Sequence, residues 1–497
     1  MAEKMLPGDE LTGLSPDFAK KIRRAVIWRS GSQIAGQMIA WASTFLVIRI
    51  LTPEDYGLFA MTQVMLVLLT LLSGHGLASA AIQRQDVDKQ TMRQIFGLLL
   101  LLNGALALAQ IACAPLAAAY YREPMVADLM RVQALIYLTI PFASLGYAQL
   151  ARTMEFHRQA QVNLVSALIG AVTALGGALA GWGVWALVWA PIAMFTARAL
   201  GLTIAARTWF WPSFNFRGSG SIARYGGLVA VGQFFGFVQS QADILVAGRW
   251  FDAHLVGVYT TALLLTQIFN NKVIPPLNEV AFAAYSRMQD DKAALSSGFT
   301  RSVRAIMVIA MPFFFGLAAV AEPLVLTLLG EKWREVVPLL LPLALAMRFW
   351  TLFTLLQPAT DALGRPGIGS VNAAIGALIM PVTFLVGVRW GISGIAWAWL
   401  IAYPLLLAFS AARSLPIIGI RFGTFLRCVA PPVLAAAIMA LAVIMIKHSL
   451  PDMPQVAQLA LLVASGALTY SLWLLIFARE TVRDLILLVR GRGVDAA

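Results

Sequence analysis

The sequence predicts an all-α polytopic membrane protein with about fourteen transmembrane helices, arranged as two pseudo-symmetric six-helix lobes and a C-terminal helix pair. Three observations predict it. The first is composition: 60% of residues are hydrophobic and 12% charged, far from the soluble norm, and no soluble fold of this length could hide so much apolar surface. The second is spacing, since the apolar residues fall in runs of about 20 to 28, each long enough to cross roughly 30 Å of hydrocarbon as a helix. The third is an internal repeat. Slid by about 200 residues, the chain places Gln33, Gly36, Ala42, Arg49 and Gly57 on Gln233, Gly236, Ala242, Arg249 and Gly257, inside two apolar segments. Two similar membrane halves carrying ionisable groups are the layout of an alternating-access transporter.

The elements follow in order. A polar N-terminal segment, 1–24, precedes the first lobe, 25–207, with spans near 25–50, 56–82, 93–119, 125–150, 158–181 and 184–206. Residues 1–20 hold no apolar core, so no cleavable signal peptide is expected and the first span directs insertion. A polar and aromatic connector, 208–223, leads to the second lobe, 224–412, with spans near 224–250, 256–284, 302–330, 336–362, 367–388 and 391–412. A second connector and a final pair near 428–446 and 456–478 fill 413–478. The tail, 479–497, reads as a short amphipathic helix, with Leu485, Leu487 and Leu488 set against Arg483, Arg490 and Arg492.

Lys and Arg concentrate in alternate connectors by about three to one, so both termini are expected on the cytoplasmic side of a bacterial inner membrane. The formal charge of +13 is spread over those connectors and forms no patch or stripe for nucleic acid. Cys113 and Cys428 stand in separate apolar spans and define no disulfide framework. No phosphate-binding glycine loop or His/Cys metal spacing occurs, and no connector exceeds about 20 residues, which leaves little room for an external catalytic domain. The expectation is a non-enzyme without cofactors.

Ionisable groups inside spans are expensive and are functional candidates. Arg29 has Gln33 and Gln37 at i+4 and i+8, a polar stripe on one helix face. Arg29 either snorkels to the interface or faces a central cavity. Lys272 lies halfway along the eighth span beside Asn271 and ahead of Pro275 and Pro276. Those prolines leave the carbonyls of Asn271 and Lys272 without N–H partners, which predicts a local break where backbone lines a wet cavity. Lys272 either lines that cavity or pairs with a carboxylate such as Glu279. Arg348 sits near the middle of the tenth span, as cavity cation or ion-pair partner. Asp243, six residues before Arg249, either carries a coupling proton or pairs with a neighbouring cation. His75, between Gly74 and Gly76, is a polar residue at a flexible helix segment or a group for substrate or proton. Residues 52–57, TPEDYG, read as a helix start: Thr52 as N-cap, Pro53 in first position, Glu54 and Asp55 at the positive dipole end.

Several of these motifs, in order, carry a family resemblance. Residues 49–57 (RILTPEDYG), 81–84 (AIQR), 241–243 (QAD), 247–249 (AGR), 257–259 (GVY) and 285–290 (YSRMQD) resemble bacterial Wzx-type polysaccharide exporters. These belong to the multidrug/oligosaccharidyl-lipid/polysaccharide superfamily. The resemblance implies two six-helix lobes around a cavity, and a flippase that moves an undecaprenyl-pyrophosphate-linked oligosaccharide from the cytoplasmic to the periplasmic leaflet for surface or secreted polysaccharide. Polysaccharide polymerase and chain-length machinery are the partners it suggests beside membrane lipids. Arg29, Lys272 and Arg348 would meet the pyrophosphate, and Gln33, Gln37 and Asn271 the sugar hydroxyls. The rival readings are an ion-coupled multidrug antiporter, which wants an acidic cavity, and a membrane-embedded transferase.

Overall fold

The computed structural model describes residues 36–39, 41–73, 89–209, 211–214, 220–451 and 453–477. These are helical apart from short connectors, with no strand among them. We number the helices α1 Gly36–Ile50, α2 Pro53–Leu71, α3 Lys89–Tyr121, α4 Met125–Gln133, α5 Leu135–Arg152, α6 Phe156–Leu179, α7 Val184–Ala206 and α8 Gly220–Trp250. They continue as α9 Ala253–Lys272, α10 Ile274–Arg287, α11 Lys292–Ala319, α12 Ala321–Leu328, α13 Val337–Ala362, α14 Gly367–Gly387, α15 Gly391–Ile418, α16 Phe422–Ser449 and α17 Gln455–Phe477. Among the described residues, 10 stretches are long and apolar enough to cross a membrane, and one of them, Gly367–Ile418, contains both α14 and α15. The chain is therefore a multi-pass α-helical membrane protein.

Helix starts and breaks follow local chemistry. Thr52 and Asp55 form the cap expected of TPEDYG: Asp55 Oδ2 accepts from Thr52 N at 2.9 Å and from Thr52 Oγ1 at 2.8 Å. At the α9 start, 200 positions on, Asp252 stands in the Thr52 place: its Oδ1 accepts from Leu255 N at 2.9 Å, as Thr52 Oγ1 accepts from Asp55 N at 3.3 Å. The predicted break after Lys272 is present, at Val273 between α9 and α10. A predicted span, 302–330, is corrected: α11 begins earlier, at Lys292, and ends at Ala319. Pro323 has no N–H to give the Ala319 carbonyl, so the chain turns at Val320 and restarts as the short α12.

The described chain divides into two compact units. One holds the described residues of Met1–Leu51 with Met65–Ala230; the other holds Thr52–Val64 with Val231–Ala497. The start of α2 thus groups with the second unit, whereas sequence reading put it in the first lobe. The physical reason is one close crossing. A Cβ on Gly57 would lie 1.7 Å from the Ala253 carbonyl oxygen, and a Cβ on Gly257 1.7 Å from the Pro53 carbonyl oxygen. The two glycines matched by the repeat offset are therefore packed backbone to backbone, reciprocally. Tyr56 meets the fully buried Trp333 edge-on at 5.7 Å beside this crossing.

The first unit is knit by buried amides and a phenol. Tyr137 on α5 donates to Gln110 Oε1 on α3 at 2.9 Å, and Gln110 Nε2 donates to the Met130 carbonyl on α4 at 2.8 Å. Asn103 Nδ2 donates to the Ser73 carbonyl at 3.0 Å. Each satisfies a polar group that water cannot reach. Residues 211–214 are pinned to α3 by Ser213 N to the Arg93 carbonyl and by Arg93 Nε to the Trp211 carbonyl, both 2.9 Å.

Candidate functional site

In the second unit, α9 and α10 lean on α13 through side-chain amides. Asn270 Nδ2 donates to the Met347 carbonyl at 3.2 Å, Thr351 donates to Asn270 Oδ1, and Asn278 Nδ2 donates to the Thr354 carbonyl at 3.3 Å. Asn270 is buried, and the preceding Phe269 packs against Phe313 and Phe314. Its neighbours Asn271 and Lys272 are exposed. The helix therefore divides its polar residues, one for packing and the next two for whatever lies outside the lobe's core. Lys272 makes no ion pair among the described residues, so pairing with Glu279, one of its two sequence readings, is not what the fold uses.

The Asn270–Met347 bond also fixes where the second cation stands. Arg348 follows Met347 on α13, so it and Lys272 ride on two joined helices next to their point of attachment. Arg348 is half-buried, with its guanidinium carbon 5.2 Å from the Phe315 ring centre and 4.7 Å from that of Phe349. Its Nε is buried without a hydrogen-bond partner, and among the described residues Arg348 forms no ion pair. Two rings hold the cation by their negative faces while its N–H groups keep their capacity for an acceptor. An oxyanion is the ligand chemistry that such a fork suits.

Asp243 sits elsewhere in the same unit and is only 2% exposed. The neighbouring cation expected for it is replaced by a phenol. Tyr259 donates to Asp243 Oδ2 at 2.9 Å, and Trp399 Nε1 donates to Tyr259 Oη at 2.7 Å. Tyr403 stacks on Trp399 at 5.3 Å, with Trp350 and Phe384 closing the cluster. The second carboxylate oxygen, Oδ1, is buried with no partner. A proton or a small cation is what such an oxygen can take.

Other predicted residues divide as follows. Gln37 is half-buried on α1, and Arg249 is half-buried near the end of α8 and engaged. Arg29, Gln33 and His75 lie outside the described residues. One residue that the sequence reading did not single out now stands out: Arg198, well inside α7 of the first unit, is half-buried with Nε lacking a hydrogen-bond partner. Its signal was present, an arginine within a predicted span, but it had no polar companion at helical spacing to mark it. Trp399 had no signal, because buried aromatics are ordinary core residues, and Tyr259 carried one only as part of the 257–259 motif and not as a partner of Asp243.

Fold and site together define a class: a multi-pass helical membrane protein in which Arg348 and Arg198, half-buried within helices, form no ion pair among the described residues. Residues 46–338, more than half of the chain, match the family described as "Polysaccharide biosynthesis protein", and the chain belongs to it. It is 27% identical to the succinoglycan biosynthesis transport protein ExoT of Rhizobium meliloti, covering 96% of this chain and 98% of that one. To the teichuronic acid biosynthesis protein TuaB of Bacillus subtilis it is 22% identical, over 95% and 99% of the two chains. Its fold is similar to that of the lipid II flippase MurJ in an inward closed conformation: TM-score 0.75, 14% identity, 92% of this chain and 100% of that one. The motif resemblance read from the sequence and the family membership agree.

Proposed function

We propose that this protein is a flippase for a lipid-linked oligosaccharide, an undecaprenyl-pyrophosphate-linked repeat unit carried from the cytoplasmic to the periplasmic leaflet for surface or secreted polysaccharide. It is a transporter and not an enzyme, placed in the bacterial inner membrane with both termini cytoplasmic, and polysaccharide polymerase and chain-length machinery take up its product. The observation that carries this reading is Arg348: a guanidinium inside a span, held by two phenyl rings, with a buried N–H unused. An unmatched cation there is costly and persists where an anionic substrate completes it. Lys272, exposed at mid-span, is also better accounted for by a wet chamber than by lipid. In this reading Arg348, Lys272 and Arg29 hold the diphosphate, while Gln33, Gln37 and Asn271 meet sugar hydroxyls. Family membership supports the same pathway.

Asp243 supplies the coupling group in this scheme. Its unmatched Oδ1 would take up and release a proton or cation as the halves rock, so that an ion gradient drives export. The multidrug antiporter is disfavoured because it requires acids facing a cationic drug, and the one buried acid described here, Asp243, already accepts from Tyr259.

The test is complementation of a deletion strain. Loss of the gene should remove polysaccharide and leave lipid-linked units on the cytoplasmic side. Arg348→Ala and Lys272→Ala should each fail to restore export at normal protein level, with Arg348→Lys intermediate because it keeps charge and loses the fork. Full export from both alanine variants would refute the cation assignment. Drug hypersensitivity with normal polysaccharide would favour the antiporter.

A further inference from the structure

The geometry points to a binding site for an anionic glycerophospholipid at the end of the second unit where α11 begins and α15 ends. Two cavities of about 660 Å³ each meet there at Gly419. The first is lined by Lys292, Ser296, Ser297, Thr300, Arg301 and Arg304, all on α11. The second is apolar along α15, past Ala408, Ala411, Ala412, Leu415 and Pro416, and carries Arg421 beside Phe422 at its Gly419 end. A cationic, hydroxyl-bearing cradle thus opens into an apolar slot, which is the division of chemistry within a phospholipid.

The cradle is built for phosphate. Lys292, Ser296, Thr300 and Arg304 recur every four residues, and Ser297 and Arg301 form the neighbouring row, so six polar side chains share one helical ridge. Arg301 donates to Ser297 Oγ at 2.9 Å; this orients the guanidinium and leaves the Ser297 O–H to donate outward. The adjacent acid, Asp291, caps α11. Its Oδ1 accepts from Ala293 N and Ala294 N at 2.9 and 3.0 Å, and it forms no ion pair with Lys292.

The slot sets the length of the tail. From Gly419 back to Ala408 is eleven helical steps, about 16 Å, which is close to half of a 30 Å hydrocarbon core. That matches one acyl chain reaching from its headgroup level to the bilayer midplane. A polyprenyl tail several times longer has no such fit. Gly419 makes the junction possible: at φ +85° it ends α15, and a Cβ built on it meets nothing within 4 Å, so the passage between cradle and slot is open. The charge pattern of the connectors puts this end on the cytoplasmic side, where anionic lipids concentrate on cationic segments.

Native mass spectrometry of the purified, delipidated full chain tests this, with dioleoyl phosphatidylglycerol and dioleoyl phosphatidylcholine as probes. Phosphatidylglycerol should bind about twenty-fivefold tighter, counting Lys292 and Arg301 at roughly fivefold each. The K292Q/R301Q variant should lose that preference to within about twofold. Ala412→Trp, which fills the slot, should weaken phosphatidylglycerol binding, and inorganic phosphate alone should not displace the lipid from the wild-type chain. Equal affinity for the two lipids in the wild-type chain overturns the proposal, and this arm needs no variant to fold. So does an unchanged preference in K292Q/R301Q. Displacement of phosphatidylglycerol by inorganic phosphate alone, or by equimolar undecaprenyl phosphate with Ala412→Trp inert, overturns it in favour of free phosphate or the transported lipid. Binding is read without transport, so failure here leaves the export reading standing.

Discussion

Replacing Gly257 with alanine tests the crossing that draws the start of α2 into the second unit. The added Cβ would stand 1.7 Å from the Pro53 carbonyl oxygen, 2.6 Å from its carbon and 2.9 Å from Gly57 N. Ordinary carbon–oxygen contact is about 3.3 Å, so the helices must part by roughly 1.5 Å. The obstructing atoms are backbone and cannot rotate aside, which puts the cost at the upper end of overpacking, about 3 kcal/mol. For a unit of this size that is on the order of 5 °C in Tm, measurable by scanning fluorimetry in detergent. Gly57→Ala meets the Ala253 carbonyl oxygen at the same 1.7 Å and should cost as much. Both changes demand the same opening, so the double variant should cost about 3 kcal/mol, not about 6. Either single variant melting with the wild type, or costs that add within about 0.5 kcal/mol, would refute this reading of the crossing.

Two further predictions concern polar groups. Tyr259→Phe removes the phenol that donates to the Asp243 carboxylate and accepts from Trp399 Nε1. It should destabilise by about 1 to 3 kcal/mol, and, if Asp243 couples export, should shift the pH profile of transport in vesicles; a change in stability with an unmoved profile would make the cluster purely structural. Glu322, past the end of the Lys292–Ala319 stretch, accepts from Lys447 Nζ at 2.8 Å and from Arg334 at 3.1 Å, and the Lys447 hydrogen bond and charge, with Arg334 beside them, hold its carboxyl below the usual range. A depressed carboxyl stabilises the fold above its unfolded pKa and loses that contribution as pH falls through the folded value. Wild-type Tm should therefore drop below about pH 4.5 by more than that of Glu322→Gln, modestly because the side chain is 39% exposed. Parallel Tm curves would show that the pair contributes nothing.

Much of this was legible in the sequence because the bilayer imposes it. With no water to satisfy N–H and C=O groups, a 20-residue apolar run must be a helix, so the spans could be read by length. Short-range chemistry was equally open: the Thr52 cap, the break ahead of Pro275 and the acid inside α8 all depend on neighbours within a few positions. The repeat offset paired Gly57 with Gly257, though nothing in it said that the two would touch.

Partner choice across long separations was decided only by tertiary structure. Asp243 took not a cation but Tyr259, 16 positions away, which in turn accepts from Trp399, 140 positions further on. Asn270 turned inward while Asn271 and Lys272 turned out, because a 100° step per residue sends adjacent side chains to different faces. The start of α2 joined the second unit through two missing Cβ atoms. In a membrane every helix is apolar on most sides, so hydrophobicity selects helices but not their neighbours. Which faces meet is settled by backbone approach and a few buried hydrogen bonds, and those exist only once the helices are assembled.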